Sequence, residues 1–243
     1  MALELHPLDQ FKIEPLIPLH IGGLDLSYTN SALFMTVAVV LITALLVFGT
    51  RRGALVPGRW QSVAEISYEF VADMVETNAG HGAEPYLPFV FTLFMFVLFA
   101  NFLGLIPYSY TVTGQIIVTF ALAATVFVGV TIIGFVKHGV HFLRFFVPEG
   151  VPLVLLVLLV PIELLSYCIR PFTLSIRLFA NMLAGHTMLA IFGGFAASVG
   201  LLAIFPVLLD VAIFALEILV AALQAYVFAI LTCLYLRDAL HLH

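Results

Sequence analysis

The chain has 243 residues, of which 63% are hydrophobic and only 9% are charged, and its mean hydropathy is +1.18. A soluble domain carries roughly 45–50% apolar and about 25% charged residues, so the composition excludes a water-soluble globule and indicates an integral membrane protein. The 9 Lys and Arg residues are outnumbered by 14 Asp and Glu residues and form no cluster that could neutralise phosphates, which excludes nucleic acid as a partner.

Residues 1–30 form a polar segment that contains charged residues and prolines. Because it has neither the basic region nor the apolar region of a signal peptide, we expect no cleaved signal here. The two cysteines, Cys168 and Cys233, lie in apolar runs and lack metal-ligand spacing. We therefore expect both to be small core residues, and we expect no bound metal and no cofactor.

Five apolar runs are long enough to cross a membrane, since a helix needs about 20 residues to span roughly 30 Å of hydrocarbon. They comprise residues 31–49, 86–108, 115–136, 151–194 and 198–236. The last two are each about twice the length of a perpendicular crossing, so each is either two spans or one long, strongly tilted helix. The sequence predicts an all-α polytopic membrane protein with one membrane domain over residues 31–243.

An amphipathic helix is predicted over residues 59–78, between the first two spans. One face is apolar and comprises Val63, Ile66, Phe70, Met74 and Val75. The opposite face is acidic and comprises Glu65, Glu69, Asp73 and Glu76. Such a helix lies at the membrane interface. Since anionic lipid would repel its acidic face, docking against protein is favoured over a surface helix without a partner.

The basic residues of the loops predict the orientation. If each run crosses once, one side of the membrane carries Arg51, Arg52, Arg59, Lys137, Arg144 and Arg237. Only Lys12 lies on the other side, so the positive-inside rule places the N-terminus outside and the C-terminus inside. If both long runs are split into two spans, the termini stay on the same sides but Arg170 moves outside. This distribution of basic residues fits the positive-inside rule slightly less well.

The last two runs carry polar and ionisable residues, which are costly in hydrocarbon and are therefore functional candidates. The fourth run contains Glu163, Arg170, Thr173, Arg177, Asn181 and His186, and the fifth contains Asp210, Glu217, Gln224 and Tyr235. Within each run most of these residues are seven positions apart, so they lie on one face of the helix. If the helices are antiparallel and Arg177 is level with Gln224, His186 and Glu217 share one depth on the outer half. Glu163 and Tyr235 then lie near the inner end.

His186 is nine residues from Arg177 and therefore points about 180° away from it. We expect Arg177 to face a partner and His186 to face a water-accessible cleft toward the fifth helix. An arginine keeps its proton, so it attracts a carboxylate but relays no proton, whereas His and Glu titrate near working pH once their surroundings shift them. Alternatively, Arg177 pairs with Glu217 or Asp210 to join two helices. Separate alternatives are that His186, Gln224 and Asn181 are interhelical hydrogen bonders. Arg170 and Glu163 would then lie at the inner membrane interface, with the Arg170 side chain extended toward water.

The segment Leu174-Ser175-Ile176-Arg177-Leu178-Phe179-Ala180-Asn181-Met182-Leu183-Ala184-Gly185-His186 resembles the signature of the a subunit of F-type ATP synthases. Two further segments resemble that family, namely Asn101-Phe102-Leu103-Gly104-Leu105-Ile106-Pro107-Tyr108 and Glu217 with Gln224-Ala225-Tyr226-Val227-Phe228. The similarity extends from about residue 30 to the C-terminus. It implies that the last two helices are single, long and tilted.

The resemblance also implies roles for individual residues. Arg177 matches the arginine that faces the carboxylates of a ring of c subunits. On the side where protons enter in this family, the matching residues are Asn181, His186, Glu217 and Gln224. On the side where protons leave, they are Glu163, Arg170, Thr173 and Tyr235. Some bacterial relatives have an acid in place of His186 and a histidine in place of Glu217; the exchanged pair found here is typical of mitochondrial and alphaproteobacterial members. Some members have an aspartate at Gly104, so no role transfers to that position, and Asp210 belongs to the inlet by periodicity alone.

The implied function is proton translocation through two offset half-channels, coupled to ring rotation and ATP synthesis. The implied partners are the c-subunit ring, the b subunits of the peripheral stalk, other ATP synthase subunits and membrane lipid. The implied location is a bacterial inner membrane, with a mitochondrial inner membrane the less favoured choice. A phosphate-binding loop is absent from the sequence, so the nucleotide chemistry belongs to other subunits.

Three other functions are alternatives. A membrane subunit of a respiratory oxidoreductase needs pairs of haem-ligating histidines deep in facing spans, and only His186 is deep. A secondary transporter predicts inverted repeats and broken helices, which the sequence lacks. A structural anchor predicts that Arg177 tolerates replacement by an uncharged residue.

Overall fold

The computed structural model describes residues 11–18, 20–21, 24–25, 27–51, 57–80, 82–106, 109–147, 153–198 and 203–240. Within these ranges the α-helices are α1 (Asn30–Thr50), α2 (Arg59–Ala79), α3 (Leu87–Gly104), α4 (Ile116–His138), α5 (Leu153–Ser198) and α6 (Ile204–Leu240). All of them except α2 belong to segments long and apolar enough to cross a membrane. The predicted all-α polytopic fold is confirmed.

Four short strands precede α1, namely β1 (Pro15–Ile17), β2 (His20–Ile21), β3 (Leu24–Asp25) and β4 (Tyr28–Thr29). β1 pairs antiparallel with β4, and β2 pairs antiparallel with β3. The Asn30 side chain joins this segment to α1, because its Nδ2 donates to Lys12 O at 3.0 Å. The chain before α1 is thus folded back against the start of the first span.

Each of the two long apolar runs forms one continuous helix rather than two spans. α5 has 46 residues and α6 has 37. At about 1.5 Å per residue both exceed the roughly 30 Å of a perpendicular crossing, so they tilt or extend beyond the hydrocarbon. They run antiparallel, since His186 lies beside Glu217 while Arg170 lies beside Asp238.

The buried face of α2 matches the predicted apolar face only at Met74 and Val75. Val63, Ile66 and Phe70 are exposed, Ile66 by 64%. The buried residues of this helix are Ala64, Val71, Met74, Val75 and Ala79. The physical reason is the close approach of α1, where a Cβ on Gly49 would lie 3.0 Å from Ala64 Cβ. A small residue is needed at this contact, and further along α2 the larger Val71, Met74 and Val75 are buried.

The cysteine prediction is correct for Cys233 and wrong for Cys168. Cys233 is buried in the hydrophobic core, but Cys168 is exposed on α5. Its neighbour Tyr167 packs against α4 instead, and the Tyr167 hydroxyl lies 2.7 Å from Thr131 Oγ1. Of the basic residues that predicted the orientation, Arg52 lies outside the described residues.

The connection between α3 and α4 folds back into the protein. Its short 3-10 turn, Val112–Gly114, is buried, as is Thr111 before it. Gln115 Nε2 donates to Phe11 O at 2.7 Å and so ties this turn to the N-terminal segment. The turn therefore brings Thr111 into the space between α3 and α5.

Candidate functional site

A cavity of about 1100 Å³ lies between the N-terminal segment, the end of α3, α5 and α6. We call it the N-terminal cavity. Its charged and titratable lining residues are Lys12, Glu14, Tyr110, His186 and Asp210. Lys12 and Glu14 are exposed, whereas His186 is only 9% exposed. The cavity thus connects an exposed, charged rim with a buried imidazole.

Glu217 lies directly behind His186. The distance between His186 Nε2 and Glu217 Oε1 is 3.6 Å. Glu217 is only 4% exposed, and within the described part of the chain neither of its carboxyl oxygens has a hydrogen-bond partner. Burying an unpartnered carboxylate is costly, so this group favours a bound proton, a water molecule or a charged imidazole beside it. The pair can therefore accept a proton from the cavity and pass it on.

The approach of Glu217 to α5 depends on Gly185. A Cβ at Gly185 would lie 2.6 Å from Glu217 Oε1 and 2.9 Å from Glu217 Cδ. Any larger residue would push the carboxyl away from the helix that carries His186. Close packing against Glu217 thus explains why the sequence motif has a glycine at position 185.

Asp210 lines the same cavity, two helical turns before Glu217 on α6. It is half-buried, and its Oδ1 has no hydrogen-bond partner in the described ranges. A second carboxyl group therefore lies on the cavity wall, about 10 Å along the helix axis from Glu217.

Arg177 is exposed, in contrast to His186 on the same helix. Its neighbours Thr173, Ile176 and Ala180 are exposed too. Among the described residues Arg177 makes no ion pair, so the alternative of a structural pair with Glu217 or Asp210 is not what the structure contains. A bare cation facing hydrocarbon is costly, and this face of α5 therefore suits a partner that carries a negative charge.

Arg170 occupies a different environment, two turns from Arg177. Its Nη1 donates to Asp238 Oδ2 at 2.9 Å. The guanidinium carbon also lies 5.0 Å from the centre of the Tyr235 ring and 5.3 Å from that of Tyr167. Arg170 is held by an ion pair and two aromatic rings, so it does not merely extend to the interface as one alternative supposed.

The remaining candidates are distributed along the two helices. Gln224 is buried, whereas Asn181 and Glu163 are half-buried. Thr173 Oγ1 donates to Arg170 O at 3.0 Å and so bonds within its own helix. The structure thus brings His186 to Glu217 and Arg170 to Tyr235, and leaves Arg177 and Thr173 on an open face.

Two contacting residues were missed by the sequence reasoning. Asp238 is the only acidic residue of α6 after Glu217, but aligning Arg177 with Gln224 places it level with Glu163, about 10 Å from the level of Arg170, so the helical rise does not predict this pair. Thr111 lies 3.0 Å from His186 Nε2 but belongs to the α3–α4 connection, where no periodicity applies. Asn101, quoted only for the resemblance, is fully buried, and its Nδ2 donates to Ala221 O at 3.0 Å.

The family model described as ATP synthase A chain matches residues 32–237. A protein named ATP synthase subunit a from Parvibaculum lavamentivorans is 58% identical over 242 residues, which cover 97% of this chain and 93% of the relative. Proteins of the same name from Paramagnetospirillum magneticum and Mesorhizobium japonicum are 52% and 56% identical. The first alignment covers 98% of this chain and 99% of the relative, and the second covers 99% and 98%.

Proposed function

Because the chain belongs to the ATP synthase A chain family, we propose that it carries protons across the membrane for an ATP synthase, against a rotating ring of c subunits. The b subunits of the peripheral stalk would be further partners. We place the protein in a bacterial inner membrane, with its N-terminus in the periplasm and its C-terminus in the cytoplasm. The chain supplies the proton path, and other subunits supply the nucleotide chemistry.

One observation carries this proposal, namely that the N-terminal cavity ends at His186, with Glu217 behind it. A cavity of about 1100 Å³ with charged residues on its rim has room for many water molecules. His186 and Glu217 are the residue types that exchange protons near neutral pH in shifted surroundings. We therefore assign this cavity as the entry half-channel.

Proton transfer from the cavity then proceeds in short steps. A proton enters past Asp210 and reaches His186 and Glu217, whose facing atoms are 3.6 Å apart. Transfer over this gap needs a small approach or one water molecule, since hydrogen-bonded groups are about 2.6–3.2 Å apart. Gln224 and Asn181 then line the route to a carboxylate of the ring.

Arg177 separates the entry path from the exit path. Its permanent charge attracts the unprotonated ring carboxylate, and it cannot itself pass on a proton. A proton leaving the ring on the inner side meets Glu163, Thr173 and Tyr235. Each charge that crosses 100 mV supplies about 2.3 kcal/mol, so a leak past Arg177 would waste the drive for ATP synthesis.

The proposal is tested by ATP-driven acidification of inverted membrane vesicles that carry Arg177→Ala or Arg177→Lys. Passive proton leak is recorded after the ATP-hydrolysing part is removed. We expect both variants to lose pumping while the complex remains assembled, with added leak in the alanine variant. Arg59→Ala, at the exposed start of α2, is the matched control and should pump normally. Normal pumping in both Arg177 variants would overturn the proposal.

A further inference from the structure

The imidazole of His186 has a second neighbour that the proposed proton path does not use. Thr111 Oγ1 lies 3.0 Å from His186 Nε2, the same nitrogen that faces Glu217 Oε1 at 3.6 Å. Thr111 itself is buried. One ring nitrogen therefore lies between a hydroxyl and a carboxyl group, at the buried end of the N-terminal cavity.

The position of Thr111 is determined by the backbone around it. Gly114 N donates to Thr111 O at 3.1 Å and closes the 3-10 turn that follows. On the other side Thr111 packs on Gly104, where a Cβ would lie 2.9 Å from Thr111 Cγ2. The turn and the glycine together seat the hydroxyl against His186.

The direction of the hydrogen bond between Thr111 and the imidazole depends on the tautomer of His186, because the Thr111 hydroxyl can either donate to Nε2 or accept from an N–H there. Thr111 Oγ1 lies 3.4 Å from Gly104 O, and a carbonyl oxygen can only accept. If the hydroxyl proton points to Gly104, the oxygen lone pairs remain to accept from the N–H at Nε2 of His186. In either tautomer Nε2 is held between Thr111 and Glu217, and a proton on Nε2 lies between the two oxygens.

We propose that Thr111, seated on Gly104, is a positioning residue that orients the His186 imidazole toward Glu217. The inference rests on the proposed function, since it assumes that protons pass through this pair. Thr111 contacts no ring carboxylate and acts only through His186. Removing its hydroxyl leaves the imidazole free to rotate away from Glu217.

The test includes a pH profile, so the other charged groups around His186 matter. The groups that face it or share its cavity are Glu217 and Asp210 on α6, Tyr110 beside the turn, and Lys12 and Glu14 on the rim. Burial raises the pKa of Tyr110, so its hydroxyl stays protonated near neutrality and adds no charge there. A change in the profile on altering Thr111 therefore reports on His186 together with the carboxyl groups.

The experiment is ATP-driven acidification by the whole complex in inverted vesicles, recorded as a function of pH. Thr111→Val keeps the shape of the side chain and removes the hydroxyl. We expect it to lower the rate about tenfold and to displace the pH of half-maximal pumping, because the imidazole has lost its partner. Thr111→Ser restores the hydroxyl and should restore most of the rate and the parental profile.

Thr113→Val is the matched control, because Thr113 is equally buried in the same connection and its Oγ1 has no hydrogen-bond partner among the described residues. It should pump like the parent. Gly104→Ala keeps the Thr111 hydroxyl but pushes it aside, so it should displace the profile as Thr111→Val does. A parental profile in Thr111→Val overturns the inference.

If Thr111→Val fails to assemble, the pH profile of Gly104→Ala is the test. A displaced profile supports the inference. A parental profile shows that Thr111 has only a packing role and overturns the inference. His186→Ala separates this result from the proposed function. If His186→Ala pumps normally, the proton route itself is wrong. If it does not pump while Thr111→Val is parental, only the positioning role is wrong.

Discussion

The carboxyl group of Glu217 on α6 rests on the backbone of Gly185 on α5, so closely that a Cβ at position 185 would stand 2.6 Å from Glu217 Oε1. Residue 186 is the histidine whose Nε2 lies 3.6 Å from the same oxygen. The contact therefore sets the distance between the two helices at the depth where the proposed proton path turns toward the ring.

Gly185→Ala should impair proton pumping, because the added methyl group displaces the buried carboxyl of Glu217 from its place beside His186. Overpacking of this kind costs about 1–3 kcal/mol. Pumping in inverted vesicles and the thermal stability of the extracted complex measure the two effects. Gly129→Ala is the control, since its Cβ would meet only Phe89 Cζ, at an ordinary 3.8 Å. Equal behaviour of the two variants would contradict the packing argument.

Glu217→Gln should abolish pumping without loss of assembly. The amide has the same shape but carries no exchangeable acidic proton, and loss of a general acid–base group costs about 10²–10⁴ in rate. Because the Glu217 oxygens make no hydrogen bonds within the described ranges, the substitution breaks none of them. Glu69→Gln on exposed α2 serves as the control. A fully active Glu217→Gln complex would remove this residue from the path.

The double variant Asp238→Asn/Arg170→Gln should lose less stability than the sum of the losses caused by the two single substitutions. Their ion pair is 2.9 Å long and only partly exposed, so we expect a coupling free energy of about 1 kcal/mol. A double-mutant cycle on thermal unfolding of the complex measures it. Arg170→Lys keeps the charge but loses the planar stacking on Tyr235 and Tyr167, so it should recover only part of the stability. Strict additivity would show that the pair contributes nothing.

A cysteine at Ile176 should be shielded in the complete complex if a ring covers the Arg177 face. Ile176 is 52% exposed on this face, and Ile132 on α4 is 56% exposed and serves as the matched site. In a background with Cys168→Ser, removal of the ring should increase maleimide labelling at position 176 and leave position 132 unchanged. Unchanged labelling at both positions would place the partner elsewhere.

Helical spacing predicted correctly which way two residues of α5 point, but it predicted the buried face of α2 only in part. The nine-residue offset between Arg177 and His186 predicted an exposed and an inward residue, and the structure has this arrangement. Of the predicted apolar face of α2, Met74 and Val75 are buried, whereas the contact with Gly49 is made by Ala64, which lies outside that face. The spacing of apolar residues along the sequence shows which face of a helix is apolar, but it does not show how close the neighbouring helix comes.

The sequence by itself determined the class of protein, the five spans and the family, because a bilayer requires long apolar segments and the resemblance is carried by contiguous residues. The depth of His186 relative to Glu217 also followed from the helical rise. Only the tertiary structure decided that Asp238 pairs with Arg170 and that Thr111 touches His186. Such contacts depend on the rotation and separation of distant segments, and on a turn that folds back between helices, which no local pattern specifies.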